Sequence, residues 1–128
     1  TVEAVMRALS AFSEPIVLFL GGKDKGNDYK TMVDAVKKNV RAIVAIGHSA
    51  DKIVNNFADK IYVERVDTIG TDIPNIASMQ KTIAVAASLA HRGDVVLLSP
   101  ACTSFDWFTD FEERGKVFKL IVQSLEAN

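Results

Sequence analysis

Ile16-Val17-Leu18-Phe19-Leu20-Gly21-Gly22 is the stretch that decides the fold class of this chain. Five consecutive apolar residues without polar alternation, followed by two glycines, are typical of a strand that is buried on both faces. Two further runs share this pattern, Ala42-Ile43-Val44-Ala45-Ile46 and Val95-Val96-Leu97-Leu98, and Ile61-Tyr62-Val63 is a weaker fourth strand. Strands of this kind predict a parallel sheet that is covered by helices.

Apolar residues at helical spacing separate these strands. The predicted helices are Val2 to Leu9, Asp28 to Val40, Asp51 to Asp59, Ile76 to His91 and a last one from Glu112. The element order α-β-α-β-α-β-α-β-α predicts an α/β domain with a Rossmann-like, open, mostly parallel sheet and helices on both faces.

Residues typical of helix termini predict where two of these helices begin or end. Asp28 is expected to cap the second helix at its N-terminus, and Val40 to lie on that helix's apolar stripe. His91 and Arg92 are expected in the last turn of the fourth helix, with Gly93 as the residue that terminates it.

Length and composition limit the functional classes. A chain of 128 residues with 48% hydrophobic and 24% charged residues is one globular domain. A net charge of −1 gives no field that would recruit nucleic acid or a membrane surface. The single cysteine, Cys102, excludes an internal disulfide and fits a reducing, cytoplasmic compartment. Because the chain begins at Thr1 without a methionine, we expect it to be part of a longer protein.

The segment after the first strand, Gly21 to Asp28, is one of two unusual strand ends. It contains three glycines and two lysines ahead of a helix, so backbone N–H groups and an ammonium could converge on an anion. Its spacing matches neither a P-loop nor a dinucleotide fingerprint. From the residues alone, an anion site and an ordinary solvated loop both remain open.

The second unusual strand end is Ser99 to Phe111, which offers several hydroxyl donors. A nucleophilic Ser99 or Ser104 would need an elbow motif and a positioned base, and neither is present in the sequence. Cys102 is interpreted as a small buried residue, His48 as an exposed loop residue, and the aromatic residues after Ser104 as core.

The two segments resemble a known family. Gly21-Gly22-Lys23-Asp24-Lys25-Gly26-Asn27-Asp28-Tyr29, Leu97-Leu98-Ser99-Pro100-Ala101-Cys102-Thr103-Ser104-Phe105-Asp106 and Phe111-Glu112-Glu113-Arg114-Gly115 are similar to three motifs of the UDP-N-acetylmuramoyl-L-alanine:D-glutamate ligases, a branch of the Mur ligases. The motifs occur in the family's order, and the likeness covers essentially the whole chain.

The resemblance implies that residues 1–128 are the C-terminal domain of a three-domain, ATP-dependent enzyme of peptidoglycan biosynthesis. The partners it implies are D-glutamate, UDP-N-acetylmuramoyl-L-alanine, ATP and the N-terminal and central domains. The net charge predicts no nucleic-acid or membrane partner, and because no large apolar helix face is left over in the sequence, we expect a monomer. ATP and Mg²⁺ are then needed by the complete enzyme, whereas this domain alone binds no cofactor and is inactive.

The same resemblance assigns three residues to D-glutamate: the Lys25 ammonium, the Ser104 hydroxyl and the backbone N–H of Phe111. It implies no catalytic residue and no metal ligand in this domain, whose part is to hold D-glutamate and close over ATP. Two alternatives remain: a sister ligase of the stem-peptide or folylpolyglutamate type, and a stand-alone α/β binding module without catalytic activity.

Overall fold

The computed structural model describes residues 2–21, 26, 28–47, 49–66 and 76–98, which form four helices and four strands. The helices are α1 (Val2–Ser10), α2 (Val33–Asn39), α3 (Ala50–Phe57) and α4 (Ile76–Leu89), with a 3₁₀ turn at Tyr29–Met32 before α2. The strands are β1 (Ile16–Gly21), β2 (Val40–Ile46), β3 (Tyr62–Arg65) and β4 (Val95–Leu98). The predicted last helix lies outside the described residues.

All four strands are parallel and lie in the order β3-β2-β1-β4, which confirms the predicted α/β architecture. We call the end of the sheet where the strands begin the amino edge, and the end where they finish the carboxyl edge. All six residues of β1 are buried, because β1 has strands on both sides and helices on both faces.

One face of the sheet carries the larger core. Helices α1, α2 and α3 pack there against alternate strand residues such as Leu18, Leu20 and Ile43. The opposite face carries Val17, Phe19 and Val44, which pack against α4. Each fully buried aliphatic or aromatic side chain contributes about 1.5–3 kcal/mol by leaving water, so these two layers supply most of the stabilisation.

The prediction that Val40 belongs to a helix is wrong: α2 ends at Asn39 and Val40 begins β2. The reason is a β-bulge at the start of the β1–β2 pair. Ile16 pairs with Val40 and Val17 pairs with Ala42, so Arg41 is an extra residue on β2. The bulge lets Val40 face the larger core while Ala42, beside Val17, faces the other side.

The predicted end of α4 is also corrected. The helix ends at Leu89, and His91, Arg92 and Gly93 lie in a turn rather than in its last turn. The Asp94 carboxylate accepts a hydrogen bond from the His91 backbone N–H at 2.8 Å, and the Asp94 N–H donates to the His91 carbonyl at 2.9 Å. These two bonds close the turn and stop the helix, since the backbone of His91 is already committed to Asp94.

Candidate functional site

The direction of strand addition reverses at β1. From β1 the chain adds β2 and then β3 on one side, and after α4 it returns to place β4 on the other side. The helices change face at the same point, because α2 and α3 cover one face and α4 the other. In open α/β sheets, ligands bind outside the carboxyl ends of the strands where the order reverses. This rule places the candidate site between the ends of β1 and β4.

Both motifs singled out from the sequence begin at this point. β1 ends at Gly21, where the glycine-lysine segment starts, and β4 ends at Leu98, directly before Ser99. The two strands are paired in parallel, with Phe19 opposite Leu98. Two segments that lie far apart in the sequence therefore start from neighbouring strands at one edge of the sheet.

The side chains assigned to D-glutamate are not themselves described. Lys25, Ser104 and Phe111 lie outside the described residues, as do His48 and Cys102. Their roles remain predictions. The described elements that precede them in the chain are β1, before Lys25, and β4, before Ser104 and Phe111.

Gly21 brings the backbones of β1 and β2 unusually close at the carboxyl edge. Its φ is +138°, and a Cβ atom at this position would lie 2.0 Å from the carbonyl oxygen of Ile46. No other residue type fits there without moving the end of β2. Glycine is therefore required for the geometry with which the chain leaves β1 towards the motif.

The far end of the same segment is fixed by Asp28. Its carboxylate accepts a hydrogen bond from the Lys30 backbone N–H at 3.0 Å, and its carbonyl accepts one from the Thr31 hydroxyl at 3.1 Å. The predicted N-cap is confirmed, although it caps the 3₁₀ turn rather than an α-helix. The cap fixes the backbone direction at the residue where the motif ends.

Tyr29 anchors this end of the segment in the core. It is buried, and its ring lies edge-on to Phe57 of α3 with 6.3 Å between ring centroids. The Nζ atom of Lys52, in the first turn of α3, lies 5.6 Å from the centroid of the Tyr29 ring. The sequence pattern predicted Tyr29 as part of an apolar stripe but gave no sign of Lys52, because cation–π pairing depends on the contact between two elements.

Other polar groups at the carboxyl edge are paired with each other. Asp51 of α3 forms an ion pair with Arg65 at the end of β3. Along β3 itself, the Glu64 carboxylate accepts a hydrogen bond from the hydroxyl of Tyr62, the first residue of the strand, at 2.9 Å, which raises the pKa of that hydroxyl. In the part of the chain that the structure describes, no three His, Cys, Asp or Glu side chains are grouped so that they could hold a metal ion.

A groove of about 720 Å³ lies at the opposite, amino edge, between α1 and α2. Leu9, Phe12 and Ala35 line it together with Lys38 and Asn39. The groove is lined by residues at the amino edge, whereas β1 and β4 end at the carboxyl edge. We therefore place the candidate site at the carboxyl edge, because the reversal of strand order identifies that edge as the ligand-binding edge.

Comparison with protein families agrees with this geometry. Residues 1–102 match the family described as Mur ligase, glutamate ligase domain. The chain belongs to this family. As a Mur ligase glutamate ligase domain it has the expected parallel sheet, and the resemblance noted from its motifs is confirmed.

Its curated relatives are similar over nearly all of this chain. The chain is 44% identical over 125 residues to the UDP-N-acetylmuramoylalanine–D-glutamate ligase of Chloroherpeton thalassium, which covers 98% of the chain and 25% of that protein. It is 42% identical over 124 residues to the ligase of the same name from Salinibacter ruber, covering 97% of the chain and 25% of that protein. This Mur ligase domain thus spans about a quarter of the length of these relatives. No helix among its described residues has the length and apolar character needed to cross a membrane.

Proposed function

We propose that this chain is the C-terminal, D-glutamate-binding domain of a cytoplasmic three-domain ligase that joins D-glutamate to UDP-N-acetylmuramoyl-L-alanine. One observation carries the proposal: the two family motifs start at the carboxyl ends of β1 and β4, which are paired neighbours where the strand order reverses. The names of the relatives, which match this chain over 97–98% of its length, supply the substrates.

The reaction proposed for the complete protein has two steps. The carboxylate of the UDP-sugar substrate receives the γ-phosphoryl group of ATP, with release of ADP. The amine of D-glutamate then attacks the acyl phosphate, a tetrahedral intermediate forms, and phosphate leaves as the amide bond is completed. The residues that bind ATP and Mg²⁺ belong to the domains outside this chain.

In this proposal the domain contributes binding and orientation. D-Glutamate carries two carboxylates, and a lysine ammonium together with neutral N–H and O–H donors is a suitable set of partners for them. Lys25 supplies the cation, Ser104 a hydroxyl donor and Phe111 a backbone donor. Holding the amine in line with the acyl phosphate lowers the barrier by several kcal/mol through positioning alone.

The proposal is tested at Lys25 in the complete ligase. In Lys25→Met, a carboxylate of D-glutamate loses its counter-charge when the site closes, which costs about 2–5 kcal/mol. We expect kcat/KM for D-glutamate to decrease at least about 30-fold. Lys25→Arg keeps the cation with altered geometry and is expected to retain part of the activity. Steady-state kinetics with D-glutamate and ATP varied separately measures both effects.

Two further variants complete the design. Lys37→Met removes an exposed lysine from the last turn of α2, at the amino edge, and is the matched control that should behave like the wild type. Ser104→Ala should raise KM for D-glutamate and leave KM for ATP nearly unchanged, since it removes one neutral donor. Wild-type activity of Lys25→Met would overturn the assignment. Preference of the wild-type ligase for a different amino acid would show that the chain comes from a sister ligase.

A further inference from the structure

Arg41 and Asp94 form an ion pair across the amino edge of the sheet. The Arg41 Nε atom donates to Asp94 Oδ2 at 2.6 Å, and Nη2 donates to Oδ1 at 3.2 Å. The contact is bidentate, which fixes the relative orientation of the two groups as well as their distance. The Asp94 side chain is only 3% exposed, while that of Arg41 is 32% exposed.

The pair connects two strands that do not touch each other. Arg41 belongs to β2 and Asp94 directly precedes β4, while β1 lies between them. Arg41 is the extra residue of the β2 bulge, and a bulge changes the direction of the side chain it carries. The guanidinium therefore spans the beginning of β1 to reach the beginning of β4.

Besides the ion pair, β4 is held by its pairing with β1 and by Val95 and Leu97, which pack against the larger core. It is four residues long, pairs with β1 alone, and lies at the edge of the described sheet. At its start, the Val95 N–H donates to the Pro15 carbonyl at 2.9 Å, and the Asp94 carboxylate also accepts the His91 N–H. With a rise of about 3.3 Å per residue, the carboxyl end of β4 lies roughly 13 Å from Asp94. The position of Asp94 therefore determines where the strand ends.

We propose that Arg41 and Asp94 are positioning residues for D-glutamate binding: together they fix the register of β4, whose last residue, Leu98, pairs with Phe19 at the edge of the sheet that carries the candidate site. The proposal rests on the proposed function for its substrate. It goes beyond that function because neither residue lies at the carboxyl edge or in either motif. A displacement of about 1 Å at a binding group is sufficient to change rates up to about 100-fold, so a loosened β4 should affect D-glutamate specifically.

The test uses the complete ligase and separates positioning from folding. In Arg41→Met, Asp94 remains buried without its partner, so we expect both a lower melting temperature and a KM for D-glutamate raised at least about fivefold, with KM for ATP within about twofold of wild type. In the double variant Arg41→Met/Asp94→Asn the unpaired charge is removed, while the asparagine oxygen still accepts the His91 N–H. Its melting temperature should therefore recover in part, whereas its KM for D-glutamate stays raised.

Arg41→Lys should give an intermediate KM, because an ammonium replaces only one arm of the fork. Lys60→Met is the matched control, since Lys60 pairs with the exposed Asp59 beside the amino end of β3, on the far side of the sheet from β4. A KM for D-glutamate that is unchanged in Arg41→Met, or that recovers together with the melting temperature in the double variant, overturns the proposal.

Hydrogen exchange distinguishes failure of this proposal from failure of the proposed function. The amides of β4 should exchange faster in Arg41→Met and in the double variant than in wild type or Lys60→Met. If the wild-type ligase does not use D-glutamate, the proposed function fails. Faster exchange then still supports the control of β4 by the pair, and unchanged exchange refutes it.

Discussion

The contacts at the two edges of this sheet fix different parts of the chain. At the amino edge, side chains bind each other and the backbone: Arg41 holds Asp94, and the Asn39 amide donates to the Phe12 carbonyl at 3.0 Å and to those of Leu9 and Glu14 at 3.5 Å. At the carboxyl edge, the close approach of Gly21 to Ile46 and the Asp28 cap shape the backbone. The amino edge thus fixes where strands begin, and the carboxyl edge determines how loops leave them.

The largest effect is expected at the carboxyl edge, from Gly21→Ala. The new Cβ would lie 2.0 Å from the Ile46 carbonyl oxygen, and alanine is strained at a φ of +138°. Because both the clash and the strain involve backbone, we expect a loss of about 3 kcal/mol or more in the free energy of unfolding. Denaturant unfolding of the chain measures it.

Gly93→Ala is the matched control at the amino edge. Gly93 has a φ of +91°, but a Cβ there would have no neighbour within 4 Å. The substitution carries the backbone strain without the clash and should cost only about 1–2 kcal/mol. Equal losses in the two variants would show that the close contact of β1 with β2 at the carboxyl edge contributes nothing.

The next largest effect is expected at Asn39, in the amino-edge network. Asn39→Ala removes the donor to the Phe12 carbonyl and should cost about 1 kcal/mol. Asn39→Asp puts a carboxylate against carbonyl oxygens in place of that donor, so we expect a loss of about 2–3 kcal/mol at neutral pH. Thermal melts rank the two. An aspartate variant as stable as the alanine variant would contradict the role of the amide as a donor.

The smallest effect is a pH dependence that distinguishes the ion pairs of the two edges. The Arg41 guanidinium, which donates to Asp94, holds the pKa of that carboxyl below its usual range. The folded protein thus releases this proton more readily than the unfolded chain. The resulting stability is complete above the unfolded value of about 4 and is lost as pH falls through the lower folded-state pKa.

The measurement compares melting temperatures of wild type and Asp94→Asn between neutral and acidic pH. Their difference should be largest near pH 7 and decrease as pH falls below about 4. Asp51→Asn is the control at the carboxyl edge, because Asp51 is 75% exposed and its pair with Arg65 is screened by water. A difference for Asp94→Asn that does not decrease in acid would exclude a charged pair as its cause.

The sequence predicted the architecture because β1, β2 and β4 each contain a run of at least four consecutive apolar residues. The side chains of a run such as Ile16 to Leu20 point to both faces of the sheet, so both faces must be covered by helices to bury them, and this is the observed arrangement. The errors lie at element ends, where local and long-range contacts compete. The helical spacing of apolar residues predicted Val40 to lie in the second helix, but Val40 pairs with Ile16 at the bulge and begins β2. His91 suited the end of α4, but its N–H is held by Asp94.

The sequence predicted at which strand ends the candidate site lies, but not the contacts between the residues around it. Asp28 was recognisable as a cap residue and has that role, whereas Gly21, predicted as a turn residue after the strand, is the last residue of β1. Arg41 was missed, although a charged residue within an otherwise apolar strand is a signal that its side chain has a partner. Which partner it has depends on the strand order, because Asp94 comes near Arg41 only when β4 lies next to β1.

The strand order also has a consequence for folding during synthesis. β2 follows β1 after one short helix, so this pair is local in the sequence, and β3 can be added soon afterwards. β4 can pair with β1 only after β2, α3, β3 and α4 have left the ribosome, and long-range pairings of this kind form slowly. One side of β1 therefore stays without its described partner strand until β4 has been synthesised. Among the described strands β4 is the last to be assembled, and a chain stopped before Val95 would contain β1, β2 and β3 but only one of the two strand ends that flank the candidate site.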